Sequence, residues 1–502
     1  MRTAPGNARA AGEEPSVARN TVFAVATQAT TAAFTAALTL YLVRALGPDD
    51  YGVFALALGI GTALTIIADA GVTPSAARFI AERARDGSAV SAIVANATVL
   101  KIFVLVPLSA ALALLAGPIA GAYGDADLEA PLRLMALALA GQSMFALFRE
   151  AFIALGRLST TWLTVLLESA IEASASVAFV VGGAGAAGAM LGRTAGYVAG
   201  AVIAAVLLRR LLRRLPSERV SLPTVRRNML IAYAGVLFLI DVSFTLFEQI
   251  DVIMIGAIIG THAVGVFEAP LRLTVFLGYG GQALALAIAP RLARRGAPDV
   301  RAFTTATRYL LLLQGLLLAP ILVWAGPITD LVLGPSYAES EEVLRALAPF
   351  VFLSGLGTYI TITVNYLGEA RRRVPLAVLC VALNAAIDAV LLPTIGVVGG
   401  AIATDVAFAV FAAGHFWICR DALDFPLRPL AWSFARCLVA VGAMAAVLAL
   451  FGTSSLSAAE WLAGGLFGVV AYVAVLRLLG EISASELAQA RHAIRERTRV
   501  ST

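Results

Sequence analysis

The sequence predicts an all-α polytopic membrane protein. It has fourteen transmembrane helices, in two six-helix pseudo-symmetric lobes around a central cavity, plus two extra C-terminal helices. Three observations carry this. The chain is 60% apolar and 14% charged over 502 residues, where a soluble domain carries about 25% charged residues. Apolar runs of about 20 residues, each enough to cross a hydrocarbon core of about 30 Å, recur from Thr21 to Leu479. The arginines fall between those runs in a regular alternation.

The spans are expected at 21–43, 51–72, 89–117, 131–155, 161–182, 186–208, 229–259, 264–288, 305–326, 343–367, 374–393, 395–418, 429–451 and 457–479, with very short turns between spans 5 and 6 and between spans 11 and 12. Cationic residues favour the cytoplasmic side of a membrane. With the N-terminus inside, 31 of the 37 basic residues lie in or beside inner segments, and only Arg44, Arg133 and Arg345 in outer ones. The outer connections carry acids instead: Asp125, Asp127 and Glu129, then Asp330, Glu339, Glu341 and Glu342. An odd number of crossings would scramble this alternation, so both termini are expected in the cytoplasm.

Residues 1–19 are polar and hold no short apolar run before a small-residue cleavage site, so no cleavable leader is expected. The basic set is 36 Arg and the single Lys101; with so much Ala, this fits a high-GC bacterial genome. Leu100-Lys101-Ile102 is not the Gly-Lys-Ser/Thr of a phosphate-binding loop, which excludes a P-loop ATPase within this chain. Cys380, Cys419 and Cys437 are isolated in apolar stretches, and with His262, His415 and His492 they show no metal-ligand spacing. No metal site and no cofactor are expected, and the cysteines read as packing residues.

Landmarks recur at an offset near 212 residues: Gly52-Val53-Phe54 with Gly265-Val266-Phe267, Arg78 with Arg291, Leu155-Gly156 with Leu367-Gly368, and Gly185-Ala-Ala-Gly188 with Gly396-Val-Val-Gly399. Each repeat holds an even number of spans, so the two lobes share one orientation and place a cleft between them near the midplane. The organisation expected is a tail (1–19), a first lobe of spans 1–6 (20–208), an Arg-rich cytoplasmic linker (209–227), a second lobe of spans 7–12 (228–422), spans 13 and 14 (423–480), and a basic tail (481–502). In that tail Ser483 and Glu486 have capping-box spacing, and Leu487, Ala490 and Ile494 form a narrow apolar stripe. Arg491, Arg495 and Arg497 then face lipid headgroups, or the tail is simply solvated.

The run Arg44-Ala-Leu-Gly-Pro-Asp-Asp-Tyr-Gly-Val-Phe54, the stretch Asp251-Val-Ile-Met-Ile-Gly256 continuing to Val264-Gly265-Val-Phe267, Asp69-Ala-Gly71 and Gly396-Val-Val-Gly-Gly400 resemble the signatures of the O-antigen/polysaccharide flippases. These form a group of the multidrug/oligosaccharidyl-lipid/polysaccharide exporter superfamily. The resemblance covers about residues 20–480. Phe54 and Phe267 depart from it, standing where the group more often has Tyr. It implies flipping of undecaprenyl-diphosphate-linked oligosaccharide from the inner to the outer leaflet by alternating access. The motifs are mostly turn and packing motifs, informative on fold and poor on substrate.

Ionisable groups inside spans cost about 2.5–3.5 kcal/mol to insert, so they need a polar cavity or a partner. Arg272, Lys101 and Arg193 are the cations left inside spans away from the inner and outer segments, and Arg149 lies about two turns from the inner end of span 4. Arginine offers forked donors to phosphate oxygens, so these four are candidates for the diphosphate or glycan, or else tie helices together through buried acids. Asp241, Glu248 and Asp251 crowd span 7, Glu168 and Glu172 lie one turn apart in span 5, and Asp69, Glu268, Asp388 and Asp405 stand singly. The acids Asp251, Glu248, Asp241, Asp69, Glu168 and Glu172 are candidates for coupling to an H+ or Na+ gradient, or for counter-ions to the cations. Thr27, Thr31, Thr35 and Thr39, with Gln28 beside them, form a four-residue row on span 1. That row reads as close-packing small residues or as a polar cavity wall. His415 reads as a capping or snorkelling side chain rather than a proton relay, with Asn365 and Gln142 in the same class.

Two other functions compete with the flippase: a cation-coupled multidrug or small-molecule exporter of the same superfamily, and a membrane-embedded polysaccharide polymerase or glycosyltransferase. Spans 13–14 and the intramembrane cations weigh against the first. The second generally needs a long outer loop and a nucleophile–base pair, and the longest outer connection is about 17 residues, after span 9. A lipid II flippase is a close variant of the leading reading. The expected partners are a lipid-linked glycan, membrane lipids and polysaccharide biosynthesis enzymes, with no nucleic acid. The expected location is the bacterial cytoplasmic membrane.

Overall fold

The computed structural model describes residues 17–84, 86–215, 227–275, 281, 284 and 299–483. Sixteen α-helices lie among them. The first nine are α1 Val17–Asp69, α2 Val72–Glu82, α3 Gly87–Ala122, α4 Glu129–Ala154, α5 Leu158–Val181, α6 Gly185–Leu212, α7 Arg227–Ile258, α8 Thr261–Val275 and α9 Val300–Val323. They are followed by α10 Ala325–Val332, α11 Ser340–Ala346, α12 Ala348–Tyr366, α13 Arg373–Ile395, α14 Val397–Leu423, α15 Leu427–Leu450 and α16 Ala458–Leu478.

Among the described residues eleven helices are long and apolar enough to cross a membrane. The chain is a multi-pass membrane protein. One of the eleven is Arg19–Asp69, 51 residues long, which contains the first two expected spans. It bends at Gly47 (φ 67°, ψ 177°), with Pro48 following. Proline removes a helical hydrogen bond and clashes with the preceding turn, so the Gly-Pro pair kinks the chain between two helices without a loop. The expected seventh and eighth spans fall on α7 and α8, which are not among the eleven. The basic tail beyond Ser483, most of the linker (216–226), and the end of span 8 lie outside the described residues.

The connection after span 2 is itself a helix. Val72, Ala76, Phe79 and Ile80 lie at helical spacing, one apolar face, and bury against Val90, Ile93, Phe145 and Phe152. A search for 20-residue runs passes over an eleven-residue amphipathic element. The next helix, α3, starts at an Asp86 cap that accepts from Ser88 N (3.0 Å), Ala89 N (3.1 Å) and Ser88 Oγ (2.7 Å).

The chain divides into two compact units: residues 1–46 with 53–245, and residues 47–52 with 246–502. In the first unit, α5 and α6 pack along a glycine stripe. A Cβ on Gly192 would meet Ser176, on Gly196 Glu172, and on Gly200 Glu168, all within 3.0 Å. This is the small-residue spacing that lets membrane helices approach closely. In the second unit, α15 and α16 join α9 and α12 in one apolar core. Tyr472 Oη donates to Leu312 O at 2.6 Å and Cys437 Sγ to Leu311 O at 3.3 Å. All three cysteines are buried.

The repeat landmarks have structural reasons. Gly156 (φ 67°) and Gly368 (φ 82°) both turn the chain out of a helix in the left-handed region, which suits glycine. In the second unit, the segment 47–52 packs against the start of α8. A Cβ on Gly52 would lie 1.9 Å from Thr261 O, and one on Gly265 1.9 Å from Pro48 O. Asp49 and His262 bond there at 2.7 Å, across the same separation of 213 residues. Sequence-equivalent turns of the two repeats therefore cross each other backbone to backbone.

Candidate functional site

In the first unit the end of α1 shapes the site. Ala70 (φ 45°) and Gly71 (φ 71°) turn the chain sharply after Asp69. The Asp69 carboxylate then receives the Thr73 hydroxyl and stands 2.6 Å from Lys101 Nζ. Lys101 is wholly buried in α3 and also donates to Ser143 O at 2.7 Å. Asp69, Thr73, Gln142, Ser143, Arg149 and Glu150 share the lining of one cavity of about 450 Å³. Arg149 Nη2 is 3.4 Å from Glu150 Oε1 and 40% exposed, so of the four candidate cations it is one that lines open space.

Arg193 lies elsewhere in that unit. Its Nε donates to Glu172 Oε1 at 2.8 Å, and its guanidinium sits 5.8 Å from the ring centres of Phe54 and Tyr197. Glu168 is buried one turn from Glu172 and accepts from Ser169 Oγ at 3.1 Å. The glycine stripe on α6 makes room for both carboxylates.

In the second unit Arg272 Nη2 and Glu268 Oε1, one turn apart on α8, are 2.5 Å apart. Glu248 lies within electrostatic reach of both. Beside them is an acid group of another kind. Asp251 on α7 accepts from Thr404 Oγ1 on α14 at 2.9 Å, and Asp388 and Asn384 on α13 lie against it. All four side chains are at most 5% exposed. Asp251 Oδ1, both Asp388 oxygens and both polar atoms of the Asn384 amide have no hydrogen-bond partner among the described residues. Buried polar atoms are ordinarily paired. Two carboxylates pressed together in a dry site repel unless a proton or a cation lies between them. The group therefore has the donor set of a small-cation or proton site.

The other singled-out residues separate by location. Asp405 accepts from Phe350 N at 2.8 Å and so caps α12 from a neighbouring helix. His415 is buried, accepts from Arg373 Nε at 3.1 Å and donates to Phe411 O at 2.8 Å, while Asn365 accepts from Arg373 Nη1 at 2.8 Å. Thr31, Thr35 and Gln28 on span 1 are exposed. The side chain of Asp241 lies outside the described residues.

The sequence model of the family described as polysaccharide biosynthesis protein matches residues 17–295, more than half of the chain. The chain belongs to that family. A curated relative, the probable low-salt glycan biosynthesis flippase Agl15 of Haloferax volcanii, is 24% identical over 239 residues. That match covers 46% of this chain and spans about half the length of the relative (50%). Among solved structures, lipid II flippase MurJ in an inward closed conformation superposes with a TM-score of 0.72 at 11% identity, covering 91% of this chain and 98% of that one. A multidrug resistance MATE family transporter in an inward-facing conformation gives 0.58 at 15% identity, covering 78% and 94%. At such identities the likeness is one of fold.

For this family member, sequence reading picked out Asp251 and set Asp388 apart as a single acid; the structure pairs them. Asn384, Thr404 and Ser143 were not singled out. Asn384 and Asp388 are four apart on α13, hence on one face, and that spacing was the available signal. Nothing in the order of residues says that Thr404 meets Asp251, 153 positions away.

Proposed function

We propose that this chain is a flippase. It moves a lipid-linked oligosaccharide, carried on undecaprenyl diphosphate, from the inner to the outer leaflet by alternating access, coupled to H+ or Na+. The observation that carries the reading is the cavity of the first unit, whose largely apolar wall carries a cluster of polar and charged side chains. In a chain of the polysaccharide biosynthesis family, it sets Arg149 and Asp69 in the wall, with buried Lys101 paired to Asp69 from behind. A diphosphate competes with Glu150 for the Arg149 fork, since phosphate oxygens accept from guanidinium in the same geometry as a carboxylate. Arg272, paired to Glu268 within one helix, offers a second such fork. Asp251, Asp388, Asn384 and Thr404 bind the coupling cation or proton. Fourteen crossings with cytoplasmic termini in the bacterial cytoplasmic membrane complete the reading, and biosynthesis enzymes that make and extend the glycan are its partners.

The test is translocation of a labelled lipid-linked oligosaccharide in proteoliposomes. Arg149→Ala and Arg272→Ala should each lower the flux by about tenfold or more, the effect of losing one charge-assisted contact, with the protein still inserted and folded. Unchanged flux in both variants removes the cations from the mechanism. Efflux of cationic drugs with no glycan flux would move the chain to the multidrug exporters.

A further inference from the structure

A further charge cluster lies in the second unit, apart from the acid pair, where α9, α15 and the end of α16 meet. Its centre is Glu481, whose side chain is only 2% exposed. Oε1 accepts from Arg308 Nε at 2.7 Å and from Ser433 Oγ at 2.6 Å; Oε2 accepts from Arg436 Nη1 at 2.9 Å. The Arg308 Nη2 also donates to the Glu481 backbone carbonyl. Among the described side chains two guanidinium groups share one carboxylate, and Arg436 stays partly exposed.

Such a tie between three helices needs no opening, yet this one has one. Arg308, Arg436, Ser433 and Trp432 line a cavity of about 820 Å³ beside it. The surroundings of that cavity are apolar on one side. Trp432, Arg436 and Val439 follow each other at helical i, i+4, i+7 spacing and share one face of α15. Trp432 is 56% and Val439 57% exposed, while Ser433, Cys437, Ala440 and Met444 bury the opposite face. Arg436 is thus a partly exposed cation flanked on its own stripe by lipid-facing side chains. Tryptophan at such a position marks the headgroup level of a bilayer, and Arg at helix ends reaches toward lipid phosphates.

We propose that this cavity binds the headgroup of an anionic phospholipid. Its phosphate sits against Arg436 and Arg308, and its acyl chains run along the Trp432–Val439 face. On the topology read from the arginines, the lipid is one of the inner leaflet. The bound lipid then supplies the negative charge that Glu481 alone does not, and fastens α15 and α16 to α9. The occupant is matched by its chemistry, an anion joined to an apolar body. A soluble phosphate meets only the first half of that requirement.

The experiment uses the full chain purified in a neutral detergent. Native mass spectrometry and thermal unfolding are read with added phosphatidylglycerol, phosphatidylcholine, or soluble glycerol 3-phosphate. The wild type should retain phosphatidylglycerol and unfold at a higher temperature with it than with either other probe. Arg436→Gln should weaken that retention about tenfold, the effect of losing one charge-assisted contact. Trp432→Ala replaces none of the partners of Glu481 and guards against a merely misfolded Arg436 variant; it should also weaken retention. Equal retention of phosphatidylcholine by the wild type overturns the proposal. So does phosphatidylglycerol retention that survives in both variants. Equal stabilisation by glycerol 3-phosphate overturns the lipid and assigns the cavity to a soluble anion.

Discussion

One buried group in each unit makes an instructive contrast. In the first, cation meets anion: Lys101 with Asp69, Arg193 with Glu172. Each pair satisfies itself, and the cost of dehydration is offset by the partner. In the second, Asp251 and Asp388 press like against like, with a hydroxyl and an amide beside them and three carboxylate oxygens left without a hydrogen-bond partner among the described residues. A self-neutral pair is stable without a ligand. An acid pair is stable only with a proton or a cation added. The comparison sets self-neutral pairs in the first unit against an acid pair in the second.

The largest expected effect falls on the acid pair. Asp251→Asn and Asp388→Asn should each lower glycan flux about 30-fold or more, the size of a coupling free energy near 2 kcal/mol, and should abolish its dependence on the H+ or Na+ gradient. Flux that keeps its ion dependence in both variants breaks the comparison. Stability should respond in the opposite sense between units. Lys101→Met leaves Asp69 without its cation and should cost about 3 kcal/mol, the low end for a broken buried pair because Asp69 is 28% exposed. The melting temperature in detergent reads this directly, and Lys101→Met with Asp69→Leu should recover most of the loss. Asp388→Leu, by contrast, removes a buried carboxylate that faces another carboxylate and has no hydrogen-bond donor among the described residues, and should leave the melting temperature unchanged or raise it. A large loss there would mean that Asp388 is bonded in the folded protein without any added ion.

A smaller effect is expected where packing brings the charges of the first unit together. Gly196→Leu puts a side chain where a Cβ already meets Glu172 Cβ at 2.6 Å, and should cost about 1–3 kcal/mol by overpacking. Because Glu172 holds Arg193, the same variant should lower flux, and unaltered stability would show that α5 and α6 can part freely. The smallest effect concerns the cap of α3. The Ser88 hydroxyl, then the Ala89 N–H, hold the Asp86 carboxyl below the usual range. A depressed folded value means the cap stabilises fully above the unfolded carboxylate range and loses its effect as pH falls through the folded value. Melting of the wild type should therefore decline slightly faster in acid than that of Asp86→Asn, as read by parallel melts from neutral to acid pH.

Glu481 shows the same sign with a different cause. Burial alone would raise its carboxyl, but the Ser433 hydroxyl and the Arg436 and Arg308 guanidinium groups outweigh burial and hold it below the usual range. The first unit's habit of matching charges thus reappears in the second, with two guanidinium groups on one carboxylate.

Much of this was legible along the chain. Helical spans need only local composition, because lipid forces every backbone group to bond within its own helix. Gly52 and Gly265 were visible as a repeat, and Asp69, Lys101 and Asp251 stood out because charge in an apolar run is costly. The amphipathic α2 was passed over because eleven residues are too few for a crossing, although its spacing of Val72, Ala76, Phe79 and Ile80 was there to be read. The sequence by itself determined the fold class, the candidate ions and the family. The tertiary structure alone decided which ions are partners: that Lys101 takes Asp69, that Arg193 takes Glu172 across the α6 glycines, and that Asp251 meets Asp388 and Thr404. The physical reason is range. Insertion energy is a property of one residue in one span, whereas pairing depends on which helix faces meet, and that is set by packing among residues far apart in the chain.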